Sequence, residues 1–170
     1  MKIICAWCKS EMGNDGAEDS RTSHTICRDC RNWMRGNERG YPLVEYLDKL
    51  PPPILLVDGE GVVQLANKAA CRVLGKDLEQ IRGKAGGNVM ECAYARLPEG
   101  CGQTIHCKAC AIRLAVIRTH STGEDLADVE AYQEIMVNEK TTRMKILLST
   151  HKFGEVVFLR LDAMTPALKN

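Results

Sequence analysis

Residues 54–75 read ILLVDGEGVVQLANKAACRVLG, and this stretch decides the fold of the larger part of the chain. Two runs of β-forming residues, 54–58 and 62–66, flank a turn with two glycines, which predicts an antiparallel hairpin. Asn67 follows directly and suits the N-cap of a helix that ends at Gly75. The stretch therefore predicts two paired strands followed at once by a short helix.

The rest of the chain continues with short helices and then strands. We expect a helix at 77–82, a cysteine-rich loop, and a helix at 111–120 with Gly123 beyond its end. The last third is rich in β-forming residues, most densely in EVVFLRLDAM at 155–164. Two strands, then helices, then further strands lack strict βαβ alternation, so the order predicts an α+β fold with an antiparallel sheet.

The composition is that of an ordinary globular protein and excludes several classes of function. Of 170 residues, 45% are hydrophobic and 26% are charged, and the formal net charge is +1. A chain so near neutrality has no overall attraction for nucleic acid or for an acidic membrane. The start, MKIICAWCKS, lacks the apolar core of a signal peptide, and no apolar run approaches a membrane span. We therefore expect a cytoplasmic protein that binds neither membrane nor nucleic acid.

The chain divides by composition into a small module, a linker and a larger domain. Residues 1–40 are poor in large apolar side chains, so they need an additional stabilising element, such as a bound metal, in order to fold. Residues 41–53 place apolar side chains at helical spacing and end in three prolines, which predicts an amphipathic helix and a linker. Residues 54–165 form the main domain, with a cysteine-rich insert at 92–110.

Nine cysteines in a chain without a secretion signal point to metal binding rather than to disulfides. The first four, Cys5, Cys8, Cys27 and Cys30, follow the pattern Cys-x2-Cys-x18-Cys-x2-Cys, which is typical of a zinc ribbon. Four protein ligands leave no open position for water, so a structural zinc is favoured. The spacing leaves two alternatives open: a rubredoxin-like iron site and a pair of unrelated thiol turns.

The second group, Cys92, Cys101, Cys107 and Cys110, lies within one loop, and its last pair enters the following helix. A helix N-terminus stabilises thiolates and favours metal binding. Spacing alone leaves four possibilities open: zinc, an iron–sulfur cluster, a dithiol–disulfide pair at Cys107 and Cys110, or inert buried thiols. His106 adjoins Cys107, and we expect it to lie beside the sulfurs rather than to bind a metal itself.

A family resemblance adds to this interpretation. Residues 54–75 resemble the opening of a PAS domain, with a hydrophobic strand ending in aspartate, a glycine-bearing hairpin, a second strand, Asn67 opening a helix, and a Leu-Gly close. Residues 156–165 are similar to the end of such a domain, so the resemblance extends over roughly residues 41–165. It implies a five-stranded antiparallel sheet with flanking helices that hold a ligand or cofactor, and a dimer formed through the helix at 41–50.

The resemblance also bears on the identity of the metal. An ordinary PAS domain has no such cysteine set, but this loop flanks the pocket where other members hold haem or flavin, and some sensory members carry iron–sulfur clusters. It therefore implies an iron–sulfur cluster in preference to zinc for the second group. His120 lies toward the end of the helix that carries the axial histidine of haem-binding members. Because the helix macrodipole already explains a histidine there, we do not expect haem.

These observations predict a sensory protein that detects redox state or a gas through a four-cysteine metal centre and signals by protein–protein interaction. We expect a homodimer that works with a separate kinase or regulator. We do not expect an enzyme, because the chain has no phosphate-binding glycine loop, nucleophile elbow or His-Glu-x-x-His motif. One alternative is a non-redox PAS adaptor with two structural zinc sites. A weaker one is a PAS-regulated zinc ribbon that binds nucleic acid, against which the near-neutral charge counts.

Overall fold

The chain forms two compact units, Met1–Pro42 and Leu43–Asn170. The computed structural model describes residues 2–6, 10–14, 16, 22–34 and 43–167. None of the helices in these ranges combines the length and the apolar character needed to cross a membrane.

The described residues of the first unit form a small sheet and one helix. Its elements are β1 (Lys2–Cys5), β2 (Glu11–Asn14), β3 (Thr22–Thr25) and α1 (Arg28–Met34). Strand β1 lies in the middle, antiparallel to β2 and parallel to β3, with Cys5 opposite Thr25. The sequence predicts a four-cysteine module here but not the parallel pairing, because strands of four residues carry too little periodicity to reveal a partner.

The second unit is built on one antiparallel sheet. Its strands are β4 (Ile54–Asp58), β5 (Val62–Ala66), β6 (Lys84–Ala85), β7 (Leu126–Val137), β8 (Lys140–Phe153) and β9 (Val156–Pro166). They lie in the order β6-β5-β4-β9-β8-β7, and every neighbouring pair is antiparallel. The predicted α+β class is confirmed, and the predicted hairpin is β4 and β5. The sheet has six strands rather than five, because the two-residue strand β6 is too short to give a sequence signal.

Short helices connect the strands of this sheet. They are α2 (Leu43–Leu47), α3 (Lys68–Leu74), α4 (Leu78–Ile81), α5 (Gly86–Val89) and α6 (Ala111–Thr122), with 3-10 turns at Ala93–Arg96 and Ile105–Ala109. Helix α2 ends earlier than the helix predicted at 41–50. After Leu47, the amides of Lys49 and Leu50 bond carbonyls three residues back, at 3.0 and 3.1 Å, rather than four. This tightening ends the helix before the three prolines.

The hydrophobic core lies against one face of the sheet and is closed by α6. Its fully buried members are Leu55, Val57, Val63, Ala66, Ala70, Ile81, Val89, Met90, Ala115, Val116, Ala131, Ile146, Leu148, Val157, Leu159 and Leu161. The buried residues of α6 are Ala115, Val116 and Thr119, which lie on one side of the helix. Near the end of α6, the hydroxyls of Thr119 and Thr150 meet at 2.6 Å in the interior, which fixes the helix to β8.

A buried carboxamide joins the segments at the start of the unit. Asn67 is 0% exposed, and its Oδ1 accepts from the amides of Ile54 and Ala70, both at 2.9 Å. Its Nδ2 donates to the carbonyls of Leu47 and Pro52, also at 2.9 Å. One side chain therefore caps α3 and fixes the end of α2, the proline linker and the first residue of β4.

We expect Asn67→Ala to lower the free energy of unfolding by about 3 kcal/mol, because it removes a cap and leaves buried backbone groups unpaired. Urea unfolding followed by circular dichroism measures the change. Asn88→Ala is the matched control, since the Asn88 side chain is exposed, and it should change stability by less than about 0.5 kcal/mol. Equal effects of the two substitutions would contradict the assigned role.

Candidate metal centres

Three cysteines of the first unit lie close together. The ligand atoms of Cys5, Cys27 and Cys30 are all within 4.8 Å of one another. Cys5 ends β1, Cys27 precedes α1, and Cys30 lies in its first turn. Because β1 and β3 are parallel, both end at the same edge of the sheet, and this brings residues that are 22 positions apart side by side. Cys8, the fourth predicted ligand, lies outside the described residues.

Backbone amides point at the sulfurs of this first group. The amide of Cys27 donates to the Sγ of Cys5, and the amide of Cys30 donates to the Sγ of Cys27, both at 3.4 Å. Cys5 and Cys30 are buried. A tetrahedral zinc with Zn–S bonds of about 2.3 Å holds its sulfurs about 3.8 Å apart, so three sulfurs this compact could bind a single metal ion.

The four cysteines of the second group line one cavity of about 150 Å³ in the second unit. Cys92 follows α5 and forms a β-bridge with Ile135 of β7. Cys107 lies in the second 3-10 turn, and Cys110 is the N-cap of α6. Cys101 lies between two glycines with positive φ, 77° and 89°, which let the chain turn tightly on both sides of it. The loop thus brings four cysteines, which lie in separate turns, to the lining of one cavity.

The remaining cavity walls are mostly apolar. They come from the inner face of the sheet, from α5 and from α6, and include Leu55, Val57, Val63, Met90, Ala95, Ile112, Val116 and Leu159. Among the described residues, the first group is the one whose ligand atoms are all within 4.8 Å, so the second is more widely spaced. Four thiolates around one cavity could bind a single zinc or, with each thiolate on a different iron, a polynuclear cluster.

Hydrogen bonds reach two of the four sulfurs. The amide of Gly87 donates to the Sγ of Cys101 at 3.3 Å, and the amide of Gly102 donates to the Sγ of Cys107 at 3.1 Å. The Thr104 hydroxyl lies 3.2 Å from the same Cys107 sulfur. Donors of this kind stabilise thiolates, the form that binds a metal.

The same contacts explain how the two thiols differ. Burial raises the pKa of Cys107, but the Thr104 hydroxyl and amide, the Gly102 amide and the Arg113 charge together outweigh it, so its pKa lies below the usual value. Burial raises the pKa of Cys101; the Gly87 amide opposes this, and the charges of the other three cysteines raise it further. Thiolates that face one cavity repel each other, and a cation among them would relieve that repulsion.

Arg113 connects the cysteine loop to the β4–β5 hairpin. Its guanidinium donates to the carbonyl oxygen of Glu60 at 3.4 Å and lies against Gly102, where a Cβ would be only 2.7 Å from Nη1. Arg113 belongs to α6, so one side chain touches the helix, the loop and the hairpin turn. A carbonyl contact across 53 residues has no sequence signal.

The structure separates the other candidate residues by environment. His106 lines the cavity and stacks on Tyr94, with ring centroids 3.8 Å apart and an interplanar angle of 11°. His120 lies against Gly59 of the hairpin turn, where a Cβ would be 2.6 Å from its Cε1, and is absent from the described cavity lining. Cys71 packs against the hydrophobic core, where burial raises its pKa. Asn67 has a structural role: it caps α3 and bonds the segments around the start of β4.

Sequence reasoning misses two residues of the cavity, Gly87 and Gln133. A Cβ at Gly87 would be 2.7 Å from the Sγ of Cys101, so only glycine fits there. Gln133 is 8% exposed, lines the cavity, and has a buried Oε1 without a hydrogen-bond partner. Neither belongs to a motif, although the inward alternation of Ala131, Gln133 and Ile135 in β7 gives a weak signal for the second.

Comparison with known proteins identifies the class of the second unit. A family model described as the PAS fold matches residues 43–113. Together with the antiparallel sheet and its connecting helices, this match gives the second unit a PAS fold. No match was found among curated proteins.

Solved structures similar to this chain include three bacterial examples. The PAS domain of nitrogen regulation protein NR(II) from Vibrio parahaemolyticus is 13% identical, covers 75% of this chain and 100% of its own, and has a TM-score of 0.45. A domain of a sensory box sensor histidine kinase/response regulator from Geobacter sulfurreducens is 13% identical, with coverage of 70% and 89% and a TM-score of 0.47. The photoactive yellow protein domain of the sensor histidine kinase Ppr from Rhodospirillum centenum is 19% identical, with coverage of 76% and 99% and a TM-score of 0.45. TM-scores below 0.5 add nothing to the assignment, which depends on the family match.

We expect Gly87→Ala to lower the free energy of unfolding by about 1–3 kcal/mol, because its Cβ would overlap the Cys101 sulfur and press on Ala95 at 3.1 Å. Thermal or urea unfolding measures the loss. Gly86→Ala is the matched control in the same helix: its Cβ would meet only the Gly61 carbonyl oxygen, at an ordinary 3.6 Å. If both substitutions had the same effect, the close approach of Gly87 to Cys101 would be refuted.

Proposed function

We propose that this protein is a sensor of redox state or of a gas, and that its PAS domain holds an iron–sulfur cluster on Cys92, Cys101, Cys107 and Cys110. The observation that carries the proposal is the convergence of all four sulfurs on one cavity, with backbone amides aimed at two of them. Four thiolates in a mostly apolar pocket are the donor set that such clusters require. When bound, the cluster would supply one-electron redox chemistry and sensitivity to oxygen or nitric oxide.

The contacts of the protein suggest how the state of this loop would reach the rest of the domain. Cys110 begins α6, and the far end of that helix is held to β8 by the Thr119–Thr150 contact and by Lys152, whose Nζ donates to the His120 carbonyl oxygen at 2.6 Å. A rearrangement of the cysteine loop would therefore act on β8 through α6. Strand β8 pairs along its length with β9, the last strand. Signalling by this route requires two discrete arrangements of the loop.

The output is proposed to be a protein–protein contact rather than catalysis. We propose that the protein is a homodimer through the helix predicted at 41–50, of which the structure has Leu43–Leu47. Its partner is proposed to be a separate kinase or regulator, in keeping with the usual role of PAS domains in signal transduction.

The first unit is proposed to hold one structural zinc on Cys5, Cys8, Cys27 and Cys30. The compact group formed by three of these residues supports the proposal. The unit has few buried apolar side chains among its described residues, so metal binding would contribute much of its folding free energy.

Metal analysis with a visible spectrum on anaerobically purified protein tests the sensor proposal. We expect iron and sulfide at about four each per chain, with brown absorbance that air changes. The double variant Cys107→Ser with Cys110→Ser should lose the absorbance, whereas Cys71→Ala should keep it, because Cys71 does not line the cavity. A colourless protein with two zincs would refute the redox centre and leave a PAS adaptor with two structural zinc sites.

The zinc proposal has its own test. We expect Cys27→Ser to remove one zinc per chain, measured by elemental analysis, and to leave the visible absorbance of the second group unchanged. Protease sensitivity should rise within residues 1–42 and stay the same in the PAS domain. Full zinc content in Cys27→Ser protein would contradict the assignment of Cys27 as a ligand.

A further inference from the structure

A glutamine faces the cysteine-lined cavity from the edge strand of the sheet. Along β7, the buried side chains of Ala131, Gln133 and Ile135 alternate with exposed or half-buried neighbours. Ile135 forms the bridge with Cys92, so Gln133 lies two residues along the strand from this contact, about 7 Å. Gln133 and Cys92 both line the cavity. The position of Gln133 is thus set by the same edge strand that anchors the cysteine loop.

Burial of the Gln133 carboxamide lowers the stability of the domain, because one of its polar atoms has no hydrogen-bond partner. It is 8% exposed, and its Oε1 is fully enclosed without a hydrogen-bond partner. Leaving such an atom unpaired costs about 1–3 kcal/mol. Leucine or methionine would suit a wall shared with Leu55, Val57 and Val116 without that cost. A group that occupies the cavity would explain why the position carries an amide.

The cavity itself indicates what that group is. Its other polar lining residues are Tyr94, His106, Arg113, Tyr132 and the four cysteines, and the cysteines are the set that could hold a metal centre. Sulfurs accept hydrogen bonds and do not donate them when ionised, so they need the NH2 end of a carboxamide. Rotation about the last side-chain bond exchanges Oε1 and Nε2 without moving the rest of the residue. Gln133 can therefore turn its NH2 group toward a sulfur-rich occupant.

We propose that Gln133 is a positioning residue that donates its side-chain amide to a sulfur of the four-cysteine centre and raises the reduction potential of that centre. This inference rests on the proposed function. The physical reason is that hydrogen bonds to the sulfurs are one of the factors that set such potentials. Reduction adds negative charge, and an N–H donor stabilises the more negative state. Gln133 would thereby set the threshold at which the sensor responds.

Redox titration of the visible spectrum, on anaerobically purified full-length protein, tests the inference. In Gln133→Leu we expect the equilibrium constant for reduction to fall roughly tenfold, equivalent to about 59 mV for one electron. Gln103→Leu is the matched control: Gln103 lies in the cysteine loop but is exposed, and its potential should match that of the wild type.

A second measurement separates tuning from a purely structural role. In protein stripped of metal, Gln133→Leu should keep or raise the free energy of unfolding, because it removes an unpaired buried atom. If the wild type contains iron but Gln133→Leu has the same reduction potential, the inference is overturned and the proposed function stands. A loss of stability in the stripped variant without a change of potential has the same consequence. A wild type without iron overturns both.

Discussion

Two buried carboxamides in the second unit have opposite hydrogen-bonding states: Asn67 joins the elements of the fold, and Gln133 lines the cavity. Asn67 is satisfied on both sides, and its bonds fix α2, the proline linker, β4 and α3 to one another. The sheet depends on this junction because β4 is a central strand, paired with both β5 and β9. Gln133, in contrast, lines the cavity and has an enclosed Oε1 without a hydrogen-bond partner. A satisfied buried amide rigidifies a fold, whereas an unsatisfied one indicates a missing partner.

The cysteine loop depends in turn on the sheet. Strand β7 holds the loop where Cys92 bridges Ile135 and where the Met136 amide donates to the Glu91 carbonyl oxygen at 2.9 Å. The other end of the loop is fixed because Cys110 begins α6. Between these two anchors, positive-φ glycines and one glycine without room for a Cβ allow the sulfurs to approach the core. The cavity is therefore a product of the whole domain, although all four cysteines belong to one segment.

Much of the fold could be predicted from local patterns. The hairpin, the cap at Asn67, the helix at 111–120 and the α+β class follow from short-range rules of turn chemistry and periodicity. The two-residue strand β6, the early end of α2 and the parallel pairing of β1 with β3 could not, because each depends on contacts between distant residues or on fewer residues than one period. The two cysteine groups, like the hairpin and the cap, could be recognised from local patterns, because metal ligands often have a characteristic spacing in the sequence.

The sequence by itself determined the residue types of both candidate centres, four cysteines in each, and placed the second four in one loop that enters a helix. It left open how the sulfurs are arranged, because spacing along the chain is compatible with one metal ion, a cluster or free thiols. Only the tertiary structure decided that the described cysteines of the first group form a compact set and that those of the second surround a cavity. It also placed Arg113 and Gln133 beside that cavity. Those two positions result from strand pairing and helix packing across the domain, which no short stretch of sequence encodes.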